Sequence, residues 1–378
     1  MSAAIDTPHI AETAAREPLA EAARLLQHEL LDQVSRTFAL TIPRLPAELV
    51  DVVGNAYLLC RIVDTIEDEL VADNAARDYL YAEFRQCLSA ESLQAAQPAR
   101  DFTTKLSSLL PQTAPEGEIF LVKSIPDVLD ITATFTPQEQ SILRRCVAVM
   151  TQGMREFQVL GANGRGLESF ATLDRYCYHV AGCVGELLTE LFCLHDPQIA
   201  ARRDQLMPLS RAFGSGLQVT NILKDMWIDH ERGVCWLPLE AFTQTSPATG
   251  TVSGDAVSSL PELMQRAIDG DQEATRLIDE GTGRLVARCR ADLDRAMRYV
   301  RTIPRTHRGL RVFCLWSIGL SVLTLRKIRR LSVQQRLGGT KVSRTSVRLT
   351  LLLSGASAGL APVMQALYAI ACLGLPRR

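Results

Sequence analysis

The segment VVGNAYLLCRIVDTIEDEL sets the tightest limit on the fold, because it carries its polar groups at Tyr57, Arg61, Asp64 and Asp68 and is apolar almost everywhere else. Spacings of four, three and four put those groups on one face of a helix, with Glu67 beside Asp64. A helix that is apolar on its remaining faces belongs in an interior. An unpartnered buried carboxylate is costly even after relaxation, so three acids against one arginine call for a cation.

A second segment, GLQVTNILKDMWIDHERG, repeats the form, with Gln218, Asn221 or Ile222, Asp225 and Asp229 along one helical face. Carboxylates paired at i, i+4 on two separate helices suit hard divalent ions. Mg²⁺ takes one or two carboxylates and completes its shell with water and phosphate oxygens. The acids themselves would repel a diphosphate, whereas ions held by them would bind one and make it a leaving group. The pattern therefore points to ionisation of an organic diphosphate. The competing account is a pair of solvated acidic patches near helix ends; the apolar setting of both clusters, with basic residues beside each, weighs against it.

Apolar residues recur at helical spacing over most of the chain, and strand-like alternation is scarce, so the expected fold is all-α. Expected helices cover Leu19–Gln33, Pro46–Val71, Asp73–Cys87, Ala99–Leu110, Gly117–Ala133, Thr136–Gln158, Leu167–Leu194, Ile199–Asp229, Leu260–Tyr299, His307–Arg330 and Ser346–Leu373. The stretch 244–259, rich in Ser, Thr and Gly, reads as a surface loop. No comparable linker divides the rest, so one large helical domain over 19–375 is expected, preceded by a flexible tail over 1–18. That tail is polar with early acids and lacks the apolar core of a secretory signal.

Ten scattered cysteines without zinc spacing suggest reduced thiols in a cytoplasmic protein. Lysine plus arginine (41) nearly balance aspartate plus glutamate (42), so no global field would draw the chain onto nucleic acid. Ionic work must be local.

The motifs SRTFALTIPRLP, DTIED, YCYHVAGCVGELL, QVTNILKDMWIDHERGVCWLP and FCLWSIGLSVLTLRKI, in this order, resemble those of the squalene and phytoene synthase family from about Leu25 to about Ala371. The resemblance implies a helical isoprenoid synthase fold with a central active-site cavity and a prenyltransferase acting on farnesyl diphosphate. By the same resemblance Asp64, Glu67 and Asp68 form the first Mg²⁺ motif and Asp225 and Asp229 the second. Ser35 and Arg36 match a flap that contacts diphosphate, Arg61 a diphosphate-facing arginine, and Arg232 a further diphosphate contact. Tyr57, Gln218 and Asn221 fall to substrate binding. Tyr176 matches a tyrosine that assists proton removal, and Phe313 an aromatic that faces a carbocation. Ala181, Gly182 and Gly185 read either as lining for a prenyl chain or as close helix packing.

Both acid motifs are common to the whole family, so the branch must come from elsewhere. FCLWSIGLSVLTLRKI followed by GGTKVSRTSV resembles the reductive branch, which joins two farnesyl diphosphates into presqualene diphosphate and reduces it with NADPH. Lys341 and Arg344 would then hold an NADPH phosphate. The alternative is a non-reductive synthase forming dehydrosqualene or phytoene, and HERGVCWLP is closer to the motif of bacterial and carotenoid enzymes. The uncharged stretch from Leu349 to Pro376 is long enough to span a bilayer. Its Ser, Gly and Pro content and its alignment with the family's last core helix favour a core helix. A hydrocarbon product makes peripheral membrane contact through the C-terminal region the expected arrangement.

Overall fold

The computed structural model describes residues 19–35, 37–68, 70, 73–89, 92–161, 165–243 and 259–377. The expected tail, Arg36 and all of the expected loop except Ser259 lie outside them. Among the described residues there is no strand, and extended pairing is confined to one parallel bridge between Leu167 and Pro238. The all-α expectation holds.

Two groups of helices build the bundle. In the first, α1 (Glu21–Val34), α5 (Glu116–Lys123), α6 (Ile125–Ala133) and α7 (Pro137–Gly161) enclose α2 (Ala47–Asp68), with α3 (Asn74–Ser89) and α4 (Ser92–Leu109) outside. Helix α2 is interior because Val52, Leu58, Leu59, Ile62, Val63 and Ile66 point to several sides and all are buried. Each such side chain contributes about 1.5–3 kcal/mol when fully withdrawn from water. Its interior Asn55 donates through Nδ2 to Thr132 Oγ1 at 2.6 Å, while Asn55 Oδ1 is buried without a partner.

The second group centres on α9 (Arg203–Glu231), flanked by α8 (Phe170–His195), α11 (Gln272–Thr302) and α12 (Arg308–Arg330), with α10 (Leu260–Ile268) packed on α11. Helix α11 runs antiparallel to α9: Gly216 abuts Asp292 and Leu293, and one turn on Thr220 Oγ1 meets Cys289 Sγ at 3.3 Å. Helices α8 and α9 touch backbone to backbone, since a Cβ at Gly185 would strike the Ser210 carbonyl and one at Gly214 the Ala181 carbonyl. For Gly185, close packing is thus the reading the geometry favours. Within α8, Tyr178–Gly182 forms a π-helical turn.

Four expected helices are broken, Ile199–Asp229 by a turn at Ala201 and Arg202 between the short helix Pro197–Ala200 and α9. The span Leu260–Tyr299 divides because Gly270 takes φ of 89° and Asp271 caps the next helix, accepting from Glu273 and Ala274 N–H at 2.9 and 3.1 Å. Gly117–Ala133 divides at Ser124, ahead of Pro126. Ser346–Leu373 divides into α13 (Arg344–Ser357) and α14 (Ala361–Ala371), with Pro362 opening the second. The expected core helix over Leu349–Pro376 is corrected on a second count: α13 buries Ser354 and Ser357 and turns Leu349, Leu352 and Leu353 outward. All ten cysteines are free thiols.

Candidate active site

Helix α2 brings Tyr57, Arg61, Asp64, Glu67 and Asp68 along its inner face, as their spacing requires. Arg61 is anchored by a residue the sequence gave no hint of. Its Nε and Nη2 donate to Glu118 Oε1 on α5 at 2.9 and 2.5 Å, while Nη1 stands 3.9 Å from Asp64 Oδ2. Thr65 Oγ1 donates to the other Glu118 oxygen at 2.6 Å, so this buried carboxylate is fully engaged.

The surplus of acid is visible in the titration of the cluster. Burial, more than Arg61 offsets, pushes Asp64 up to about 7, with Asp68 and Glu118 adding to the rise. Burial, then Asp68 and Asp64, raises Glu67 well above the usual carboxylate range, and its Oε1 is buried without a hydrogen-bond partner. A buried oxygen left in that state is an open position for a ligand or cation. Asp229 on α9 is also pushed up to about 7, by burial, then by Asp225 and by Asp68 across the gap. The carboxylates of α2 and α9 therefore lie within electrostatic reach of one another. Lys224 Nζ sits 3.0 Å from Asp225 Oδ2, and Lys224 and Arg232 pull Asp229 the other way. Among the described residues no three His, Cys, Asp or Glu side chains stand together at metal-ligand spacing. Carboxylates that share ions with phosphate and water need no such closed cage.

Other expected residues gather around this gap. Ser35 ends α1, where its Oγ accepts from Phe38 N–H at 3.1 Å and also partners Tyr57. The Phe38 ring lies 5.1 Å from Tyr57 and 6.3 Å from Phe313, making an aromatic run from α12 to α2. Tyr176 stacks on Trp236 at 4.2 Å and meets Phe157 edge-on at 5.4 Å. Burial, then Glu67 and Asp68, raises its pKa, so its hydroxyl stands within the field of the first acid cluster.

Trp236 escaped the sequence reading, although it lies in the quoted RGVCWLP. It is brought there by Gly233, at φ 74°, which turns the chain back after α9, and by the bridge in which Leu167 N–H donates to Leu237 O at 2.9 Å. Gln218 is half-buried and Asn221 exposed, both on α9. Arg232 caps the end of α9 and is exposed. Lys341 and Arg344 are exposed at the start of α13, beyond Gly339, whose Cα side lies against Ile228 next to Asp229.

A family model described as squalene/phytoene synthase matches residues 31–346. The chain is 32% identical over 206 residues to squalene synthase BSS of Botryococcus braunii, covering 53% of this chain and 40% of that protein. It is 29% identical over 231 residues to a squalene synthase of Cyberlindnera jadinii, covering 60% of this chain and 48% of that one. The matched stretches thus span less than half the length of these relatives. Among solved structures, a complex of TcSQS with the ligand BPH1237 superposes with a TM-score of 0.73 at 20% identity, over 93% of this chain and 92% of that one. A dehydrosqualene synthase complex superposes with a TM-score of 0.50 at 17% identity, over 89% and 96%. At these identities the superpositions establish the shared helical fold.

Proposed function

This chain belongs to the squalene/phytoene synthase family, and from that premise we propose that it joins two farnesyl diphosphates head to head into presqualene diphosphate and reduces that intermediate to squalene with NADPH. One observation carries the reading: carboxylate clusters from α2 and α9 lie within electrostatic reach of one another with a surplus of acid, and Glu67 Oε1 is buried and unpartnered. Mg²⁺ ions held by Asp64, Glu67 and Asp68 on one side and by Asp225 and Asp229 on the other would neutralise a departing diphosphate.

The chain's own groups supply the rest. Ser35, Arg36 and Arg232 bind the diphosphate, and Arg61, locked on Glu118, contributes a fixed positive charge beside Asp64. Tyr57, Gln218 and Asn221 line the substrate. Tyr176, pinned by Trp236, relays the proton lost as the cyclopropane forms. Phe313 and Phe38 face the carbocations and keep water out of the second half-reaction. Lys341 and Arg344, exposed cations that follow Gly339, would hold the phosphate of NADPH, which would supply the closing hydride.

In this reading residues 19–375 act as one catalytic unit on the cytoplasmic side, with peripheral membrane contact through the C-terminal region for release of a C30 hydrocarbon. Purified protein with Mg²⁺ and farnesyl diphosphate should accumulate presqualene diphosphate, and NADPH should convert it to squalene, both followed by chromatography and mass spectrometry. A C30 product indifferent to NADPH, or phytoene from geranylgeranyl diphosphate, would assign the chain to the non-reductive branch instead.

A further inference from the structure

The near-balance of total charge conceals a division. All 42 acids lie at or before Asp294, against 25 Lys and Arg, while the last 84 residues carry 16 Lys and Arg and no acid. The fold gathers part of this cationic run into one place. Arg298, Arg301 and Arg305 follow one another from the end of α11, and with Arg202 they line a cleft of about 670 Å³ that has no carboxylate in its wall. Arg202 Nη1 is buried there without an acceptor. Because Gln205 at this cleft and Asp229 are 24 residues apart on α9, the cleft lies about 36 Å from the acid motifs.

The same run continues to the outward-facing helices. Arg308 Nη2 donates to Gly355 O at the end of α13 at 3.3 Å. Arg311, 1% exposed, reaches Met364 Sδ on α14 at 3.8 Å, while its Nε and Nη1 are buried without acceptors. Burial and the nearby charge of Arg305 both depress its pKa. Beside these arginines, α13 exposes Leu349, Leu352 and Leu353 at one stripe, with Arg344 and Arg348 on the same helix. Helix α14 exposes Val363 and Ile370, two turns apart, and Leu373 is exposed just past its end. Leu352 is 70% and Leu373 67% exposed. A helix that buries serines and shows leucines to solvent is inside out for a free surface.

We propose that α13, α14 and the arginine cleft form a docking face for an anionic phospholipid bilayer, with the leucines entering the interface and the arginines engaging lipid phosphates. Basic residues interleaved with leucines fit acidic headgroups above an apolar layer. A second copy of the chain would set this predominantly basic face, where Asp294 beside Tyr368 is an exception, against its own like charges. The inference deepens the peripheral membrane contact included in the function above and rests on that reading.

The test is co-sedimentation of the full chain with vesicles of phosphatidylcholine alone and with added phosphatidylglycerol, alongside turnover of farnesyl diphosphate in detergent. Binding should require the anionic lipid and fall with salt. Arg301→Gln with Arg305→Gln, and separately Leu352→Ser with Leu353→Ser, should each weaken it roughly tenfold or more while turnover in detergent persists. Equal binding to neutral vesicles, no binding, or binding untouched by the arginine pair would overturn the proposal. So would lipid-free self-association, seen by sedimentation velocity, that the leucine pair abolishes. Squalene formation without vesicle binding sinks the docking face alone; vesicle binding without a C30 product sinks the catalytic reading alone.

Discussion

The two acid-bearing helices carry similar charge on different foundations. On α2 the acids project from an interior helix, and the arginine among them is tied to buried Glu118 and, through it, to Thr65. On α9 they occupy the last turns before the helix ends at Glu231, and Asp225 pairs with Lys224, both more than a third exposed. Yet Asp64 and Asp229 are pushed up to about the same value, near 7. Charge surplus and mechanical support are therefore set independently: the first cluster is fixed in place before any ligand arrives, and the second sits where a helix end can adjust to one.

The largest expected effect leaves that contrast in stability but erases it in activity. Asp64→Asn and Asp225→Asn should each lower turnover by at least about 100-fold, since each removes a ligand for the ions of the proposed reaction. Helical circular dichroism should persist in both. In metal-free buffer Asp64→Asn should raise Tm, because it removes part of a buried excess of charge, whereas Asp225→Asn should barely move it. Full activity in either variant would remove the ion assignment.

Next comes the support itself. Arg61→Gln leaves Glu118 buried and short of its partner and should cost about 3 kcal/mol in urea unfolding. Lys224→Gln, the matching change on α9, should stay within about 0.5 kcal/mol. Similar costs for the two would break the comparison.

If the proposed reductive reaction holds, Phe313→Ser should slow its second half roughly tenfold and more than its first, through lost cation stabilisation. A time course of presqualene diphosphate and squalene distinguishes this from a uniform loss. A small effect is also expected at the turn that follows α9. Gly233→Ala meets no atom within 4 Å of its new Cβ, so its cost of about 1 kcal/mol arises from the positive φ alone. Thermal unfolding should register it, with only a modest fall in turnover.

Much of this was legible from spacing. Carboxylates at i, i+4 in apolar surroundings locate a helix and the face it turns inward, which is why both acid helices and their inner residues emerge from the sequence. Glu118 does not, because it pairs with Arg61 across 57 positions and nothing local marks it. Trp236 depends likewise on a bridge between distant segments. The break at Gly270 was written as a glycine followed by a capping aspartate, but strong periodicity on both sides masks a three-residue interruption. The inverted polarity of α13 follows from what it packs against, which its own spacing does not reveal. The division of charge was open to counting, and totals hid it.

The backbone contact between α8 and α9 has a bearing on how such a site can change over time. With Gly185 against the Ser210 carbonyl and Gly214 against that of Ala181, no side chain stands between the helices to be trimmed or enlarged by small steps. Tyr176 and Asp225 are thus borne by a single plank whose thickness is set at its minimum. Change at this seam would have to come as a shift of whole backbones, whereas α2 and α12 meet through Phe38 by aromatic rings that can be exchanged one at a time.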